Sequence, residues 1–259
     1  MGLKGKRRIF YTIWFLVLFS GPLTVFLNTP YSLIVTDEAV LITDFEKTPG
    51  SQPGDESSSD MSSSLEETPR YQRGEDVINT FQRITGLLAF SLIFIQILLG
   101  AYMDRWVQII GAKAYRFHVV QGLMTYSVIF IHPLLNSALT YAVSKNLGDV
   151  ILGFIPAFSS QREIFLSYGK IAFVLVTISV FAAYFRTKPF FRRNWKAFHI
   201  LNYLVFILVA FHSKGVGTDV STFPFNFLYW VFVSGIAFII LHKLYLKYLK
   251  TLSVSHEAS

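Results

Sequence analysis

The chain has 259 residues, 53% of them hydrophobic and 17% aromatic, with phenylalanine alone supplying 26. Charged residues make up 15%, well under the roughly 25% of a soluble domain, and the long apolar runs mark a polytopic membrane protein. Cysteine is absent, which excludes disulfides, thiolate-held iron–sulfur clusters and cysteine catalysis; the net charge of +7 lies in short basic clusters beside apolar runs, a signature of topology rather than of nucleic-acid binding.

At the start of the chain, Lys4, Lys6, Arg7 and Arg8 precede an apolar run over 9–27. The run is too long for a signal-peptide core and no small-residue cleavage site follows, so it predicts a first transmembrane helix (1–27), with Gly21-Pro22 allowing a bend. Residues 28–76 hold 11 Asp and Glu against 3 Lys and Arg, a Ser-rich tract at 57–64 and four prolines. That composition predicts an acidic, largely disordered extracytoplasmic loop, although the alternation over 31–45 would also suit a short hairpin or surface strand. Five more apolar runs follow within a core of 77–250: 78–103, 117–140, 164–185, a rather short one at 198–213, and 225–242, before a polar tail at 251–259. The expected fold is an all-α membrane protein, a six-helix transmembrane bundle. Of its 23 Lys and Arg, 15 fall on the side that holds both termini, which makes both termini cytoplasmic and the acidic loop external in a multi-pass protein of the cell membrane.

The third and fifth runs each carry a histidine near either end, His118 and His132 fourteen residues apart, His199 and His212 thirteen apart. These spacings separate the imidazoles by roughly 20 Å along each helix, inside a hydrocarbon core of about 30 Å. Ionisable groups at such depth mark functional sites. Both helices are odd-numbered and therefore parallel, so first pairs with first: His118 with His199 towards the cytoplasm, His132 with His212 towards the outside. Two imidazoles on one iron give a six-coordinate haem suited to electron transfer. The predicted cofactors are two such haems stacked across the membrane, b-type because no Cys-x-x-Cys-His attachment motif exists. One point is untidy. A step of fourteen returns to within roughly 40° of the same helix face, but a step of thirteen lands roughly 140° away. Either the fifth helix is irregular or the two sites sit at different angles around it.

Propionates need cations or donors, for which Arg116, Arg193 and Lys196 lie near the cytoplasmic pair, and Asn136 and Lys214 near the outer one. Gly122, one turn after His118, would let a porphyrin approach the backbone. Arg83 near the outer start of the second helix has two readings, a snorkelling side chain or a charge beside the outer haem or acceptor. His242 reads as interfacial and His256 as solvated. Tyr126, Phe130, Tyr203 and Phe206, between the two levels, read as packing. A lone intramembrane histidine is as often a packing residue as a ligand; four in two matched pairs argue for ligation.

The arrangement resembles the ferric reductase-like transmembrane family, which includes the membrane part of NADPH oxidases and ferric-chelate reductases. The matching residues are Arg83-x-x-Gly86; His118-x-x-x-Gly122-Leu123 followed by His132-Pro133-Leu134-Leu135; and Trp195-x-x-x-His199-x-x-x-Tyr203 followed by His212, the 216–217 region and Asp219. The resemblance covers 78–246 and implies a two-haem core moving electrons from the cytoplasmic to the outer side. Those reductases usually continue into flavin and nicotinamide domains, whereas no G-x-G-x-x-G appears in this chain. The expected donor is therefore a separate cytoplasmic flavoprotein reductase or a membrane quinol, with flavin and nicotinamide present only through that partner. The expected acceptor is ferric iron, oxygen or an extracytoplasmic protein. Two other functions stand beside this one: a quinol-fed haem subunit supplying an extracytoplasmic reductase, and a haem-free transporter or scaffold.

Overall fold

The computed structural model describes residues 2–45 and 68–257, with side chains described over 2–29 and 77–250. Among these residues there is no strand. The helices in chain order are α1 (Leu3–Phe45), α2 (Thr68–Ala101), α3 (Met103–Ile110), α4 (Lys113–Ser144), α5 (Leu147–Leu152), α6 (Gln161–Tyr184), α7 (Pro189–Val216) and α8 (Phe225–Glu257), with a single 3₁₀ turn at Asp219–Ser221. Six of them contain segments long and apolar enough to cross a membrane: Leu3–Thr29, Val77–Ala101, Lys113–Ser144, Gln161–Tyr184, Pro189–Val216 and Phe225–Lys250. The protein is a multi-pass, all-α membrane protein.

Several boundaries differ from the sequence-based expectation. The backbone over 31–45 is helical and continues α1, so neither a loop nor a hairpin forms there; extending an existing helix needs no new nucleus. What remains of the expected disordered loop, 46–67, lies outside the described residues. The fifth spanning helix is not short. It begins at Pro189, a residue whose fixed φ and missing N–H suit a first helical turn, and so carries Arg192, Arg193 and Lys196 on its first two turns. Elsewhere the caps follow local chemistry: the Ser160 hydroxyl accepts from the Glu163 N–H at the start of α6, and the Asn146 side chain from the Gly148 N–H at the start of α5. Gly111, at φ +76°, makes the reversal between α3 and α4 that a side-chain-bearing residue would resist.

α2 is the centre of the bundle and packs against α1, α4, α7 and α8, while α6 lies along α7 and touches α4. α2 and α6 each touch both α4 and α7. The core between α2, α7 and α8 is aromatic. Phe90 is fully buried and stacks on Phe206 at 5.1 Å and Tyr229 at 5.5 Å, and Phe94 stacks on Phe232 at 4.4 Å. Such pairs contribute about 0.5–1.5 kcal/mol each beyond their buried area. On the other side of α7, Ala172, Ser179 and Ala182 bring α6 close enough for the Ser179 hydroxyl to donate to Phe198 O at 3.0 Å.

Arg83 does not snorkel. Its Nε and a terminal nitrogen grip both carboxylate oxygens of Asp219 at 2.7 and 2.6 Å, fastening α2 to the turn between α7 and α8. The Asp219 side chain is 5% exposed. Arg83→Met should therefore lower stability by roughly 3–5 kcal/mol, because it leaves a buried carboxylate unpaired. Thermal unfolding of the purified protein in detergent would measure it, and the double variant Arg83→Met/Asp219→Leu should lose less than either single one.

Candidate functional site

The four intramembrane histidines meet as two pairs. His118 on α4 and His199 on α7 have ring centroids 6.1 Å apart, and His132 and His212, about four turns further along the same helices, 6.5 Å apart. First thus meets first and second meets second, so α4 and α7 run parallel, with the pairs separated by roughly 20 Å of helix rise. Among the described residues no cluster of three or more His, Cys, Asp or Glu comes together; the histidines stand two by two.

The thirteen-residue step on α7 is accommodated without irregularity. α7 is α-helical throughout Pro189–Val216, so the two pairs lie at different angles around it. His199 faces Gly100 on α2, whereas His212 faces Gly169 on α6.

The second pair is held by backbone carbonyls. Nδ1 of His132 lies 3.1 Å from Gln82 O on α2, and Nδ1 of His212 lies 3.0 Å from Phe165 O on α6. A carbonyl can only accept, so each Nδ1 carries the proton and each Nε2 keeps a free lone pair. That is the tautomer in which metal-binding histidines are usually fixed. Both carbonyls belong to helices, where a carbonyl already accepts from the N–H four residues on but retains a second lone pair. Access to that lone pair has one cause. The residue four places later is glycine in each case: Gly86 after Gln82, Gly169 after Phe165. A helical side chain leans over the preceding turn and would cover the carbonyl. A Cβ added at Gly86 would lie 3.0 Å from His132 Cε1, and one at Gly169 only 2.7 Å from His212 Nδ1.

The first pair is arranged differently. A Cβ on Gly100 would sit 3.1 Å from His199 Nε2 and 3.9 Å from His118 Nε2, so both nitrogens border one space that only glycine leaves open. Nδ1 of His118 is buried with no hydrogen-bond partner, and Nε2 lies 3.3 Å from the Gln96 side-chain nitrogen. Trp195 packs on His199 with ring centres 5.5 Å apart.

A metal ion bridging two imidazoles needs bonds of about 2.0–2.1 Å on either side. Adding about 1.1 Å from each nitrogen to its ring centre puts the centroids about 6.2–6.4 Å apart, against the observed 6.1 and 6.5 Å. Both separations match the spacing of two imidazoles on one ion, and in each pair a glycine stands directly against a ring. The second pair is the better prepared of the two, since both its Nδ1 positions are anchored.

The other predicted residues divide by what they touch. Arg116, Arg193 and Lys196 are exposed at the first-pair end and make no hydrogen bond or ion pair among the described residues. Arg83 is committed to Asp219. Asn136 accepts from the Gln82 side chain at 3.0 Å, and Lys214 bonds Ser221 at 3.1 Å and lies 5.6 Å from the centre of the Tyr229 ring. Gly122 faces Gln96, not the gap between the histidines: its Cβ would lie 2.7 Å from Gln96 Nε2. His242 bonds Tyr102 through Nδ1 at 3.1 Å. Phe206 is in the aromatic core, and Tyr126 donates to Thr177 at 3.3 Å. Sequence reasoning did not single out Gly100, Gly169 or Gln96. One signal was present, for Gly86 and Gly100 repeat the fourteen-residue interval of His118 and His132.

Comparison with protein-family models, curated proteins and solved structures gives no match.

Replacing Gly100 by leucine should fill the space between the first two imidazoles and leave the second pair intact. In protein labelled with ¹⁵N-histidine, the signals of His118 and His199 should then shift while those of His132 and His212 stay as in the wild type.

Proposed function

We propose that this protein passes single electrons across a membrane through two b-type haems, as a ferric reductase-like oxidoreductase subunit. The observation that carries the reading is the pair of imidazole pairs, at 6.1 and 6.5 Å, at two levels of two parallel helices. A haem bound at each pair would supply a reversible one-electron iron couple.

The chain's own residues have separate tasks. His118, His199, His132 and His212 are the ligands. Gln82 O and Phe165 O hold the Nδ1 protons of the second pair, and Gly86, Gly100 and Gly169 keep side chains out of the space against the rings. Phe90 and Phe206, stacked at 5.1 Å, fill the bundle between the two levels and keep water from it. Arg116, Arg193 and Lys196 offer cations at the first-pair end, to haem propionates or to an acidic donor protein. By charge asymmetry that end is cytoplasmic, so electrons enter from a flavoprotein reductase or a membrane quinol. They leave on the outer face of the cell membrane to ferric iron, oxygen or an extracytoplasmic protein.

Purified after haem-sufficient expression, the protein should carry two haems per chain with low-spin, bis-histidine spectra in both oxidation states. A ratio near one, or high-spin iron, would count against the pairing, and the absence of a Soret band would favour a haem-free transporter or scaffold. Alanine at His118 or His199 should remove one and the same haem, and alanine at His132 or His212 the other, as read from the potential and spectrum of the haem that remains.

A further inference from the structure

The first histidine pair lacks the carbonyl anchors of the second, yet the same helical device recurs beside it with a different occupant. Gly122 stands four residues after His118, so the His118 carbonyl is uncovered in the way that Gln82 O and Phe165 O are. What enters that opening is the Gln96 amide from α2. Its nitrogen lies 3.1 Å from His118 O and 3.3 Å from His118 Nε2.

We propose that Gln96 is the positioning residue of the first site: its amide N–H holds His118 with an unprotonated Nε2, the tautomer required of a haem ligand. This rests on the function proposed above. An amide nitrogen donates and cannot accept, so the ring nitrogen facing it must be the acceptor and the proton must sit on Nδ1, where it is buried without an acceptor and only the amide on the far side of the ring keeps it there. The amide cannot be turned round, because its oxygen would then face His118 O, acceptor against acceptor at 3.1 Å. In its present orientation Gln96 Oε1 is buried without a partner. A buried amide oxygen left unsatisfied costs about 1–3 kcal/mol, so the site retains this orientation at the expense of the glutamine's own oxygen. The bond to His118 O matters as well: the amide stays partnered when the imidazole turns to another ligand. Gln96 thus fixes from the Nε2 side the tautomer that two carbonyls fix from the Nδ1 side in the second pair, but it occupies the lone pair that they leave free.

Two variants and two measurements test this. Gln96→Leu removes both amide bonds without adding charge; Gly122→Ala keeps the glutamine but displaces its amide, since the new Cβ would lie 2.7 Å from the nitrogen. In haem-free protein labelled with ¹⁵N-histidine, the wild type should show His118, identified by its loss in His118→Ala, with Nε2 unprotonated, and both variants should show mixed tautomers. In haem-loaded protein, both should bind haemin at the first site up to about tenfold more weakly, since only the tautomer preference is lost and the amide must in any case release Nε2 before iron can bind it. The low-spin signal and potential of the second site should not change. A packing role for Gln96 would leave the tautomer unmoved. An unaltered tautomer in both variants, or loss of the two haem signals together, would overturn the proposal. If the wild type binds two haems and both variants keep the first with unchanged affinity, this inference fails while the proposed function stands; if the wild type binds none, that reading fails first.

Discussion

A neutral imidazole has one nitrogen that donates and one that accepts, and hydrocarbon offers a partner to neither. Around that constraint the histidine helices and their neighbours are arranged. Each helix surrounding the histidines has its backbone already paired along its own length, so a lateral partner must come from a carbonyl's second lone pair. Side chains normally cover those lone pairs. Glycine four residues later uncovers one, and α2, α4 and α6 each use this at Gly86, Gly122 and Gly169. The cost is modest. A glycine within a helix is worth about 0.8–1.0 kcal/mol less than alanine, comparable with one net hydrogen bond.

Setting α4 and α7 in register is the second requirement, and it falls to α2, which packs on both. That helix presents Gly86 to one histidine level and Gly100 to the other, and between them buries Phe90 in the aromatic core and packs the half-buried Phe94 against it. The fourteen-residue interval brings both glycines to nearly the same face. Near its Gly86 end, Arg83 locks α2 to the turn that joins α7 and α8. A shift of α2 along its axis would misplace both glycines and break that ion pair, so its register couples the fold to both histidine levels.

The two levels are not equivalent. Both imidazoles of the second pair are oriented through Nδ1 by helices on opposite sides of the gap. In the first pair only His118 has a polar partner on its ring, a side chain rather than backbone, and it approaches the nitrogen that would ligate. Side-chain anchoring is the softer of the two, because glutamine has three rotatable bonds where a helical carbonyl has none free. In a two-haem reading this difference would separate the two sites in affinity and potential without any difference in ligand type.

Much of this was legible in the sequence. Apolar runs fixed by bilayer thickness show six spans; the matched histidine intervals, with odd-numbered helices, show that His118 belongs with His199 and His132 with His212. These features are local or periodic, and helix geometry carries them directly into space. The start of α7 at Pro189 and the helical continuation of α1 were missed, since composition marks where a chain leaves the membrane but not where its helix ends. What tertiary structure alone decided were the contacts between helices: that Asp219 takes up Arg83, that Gly122 opens towards Gln96 rather than towards the gap, and that the carbonyls of Gln82 and Phe165 orient the second pair. A carbonyl has no letter of its own in a sequence, and whether its second lone pair is used depends on which helix lies beside it. The thirteen-residue step on α7 has the same origin. Helix geometry predicts that the two histidines point to different sides, and only the positions of α2 and α6 make both sides part of one bundle.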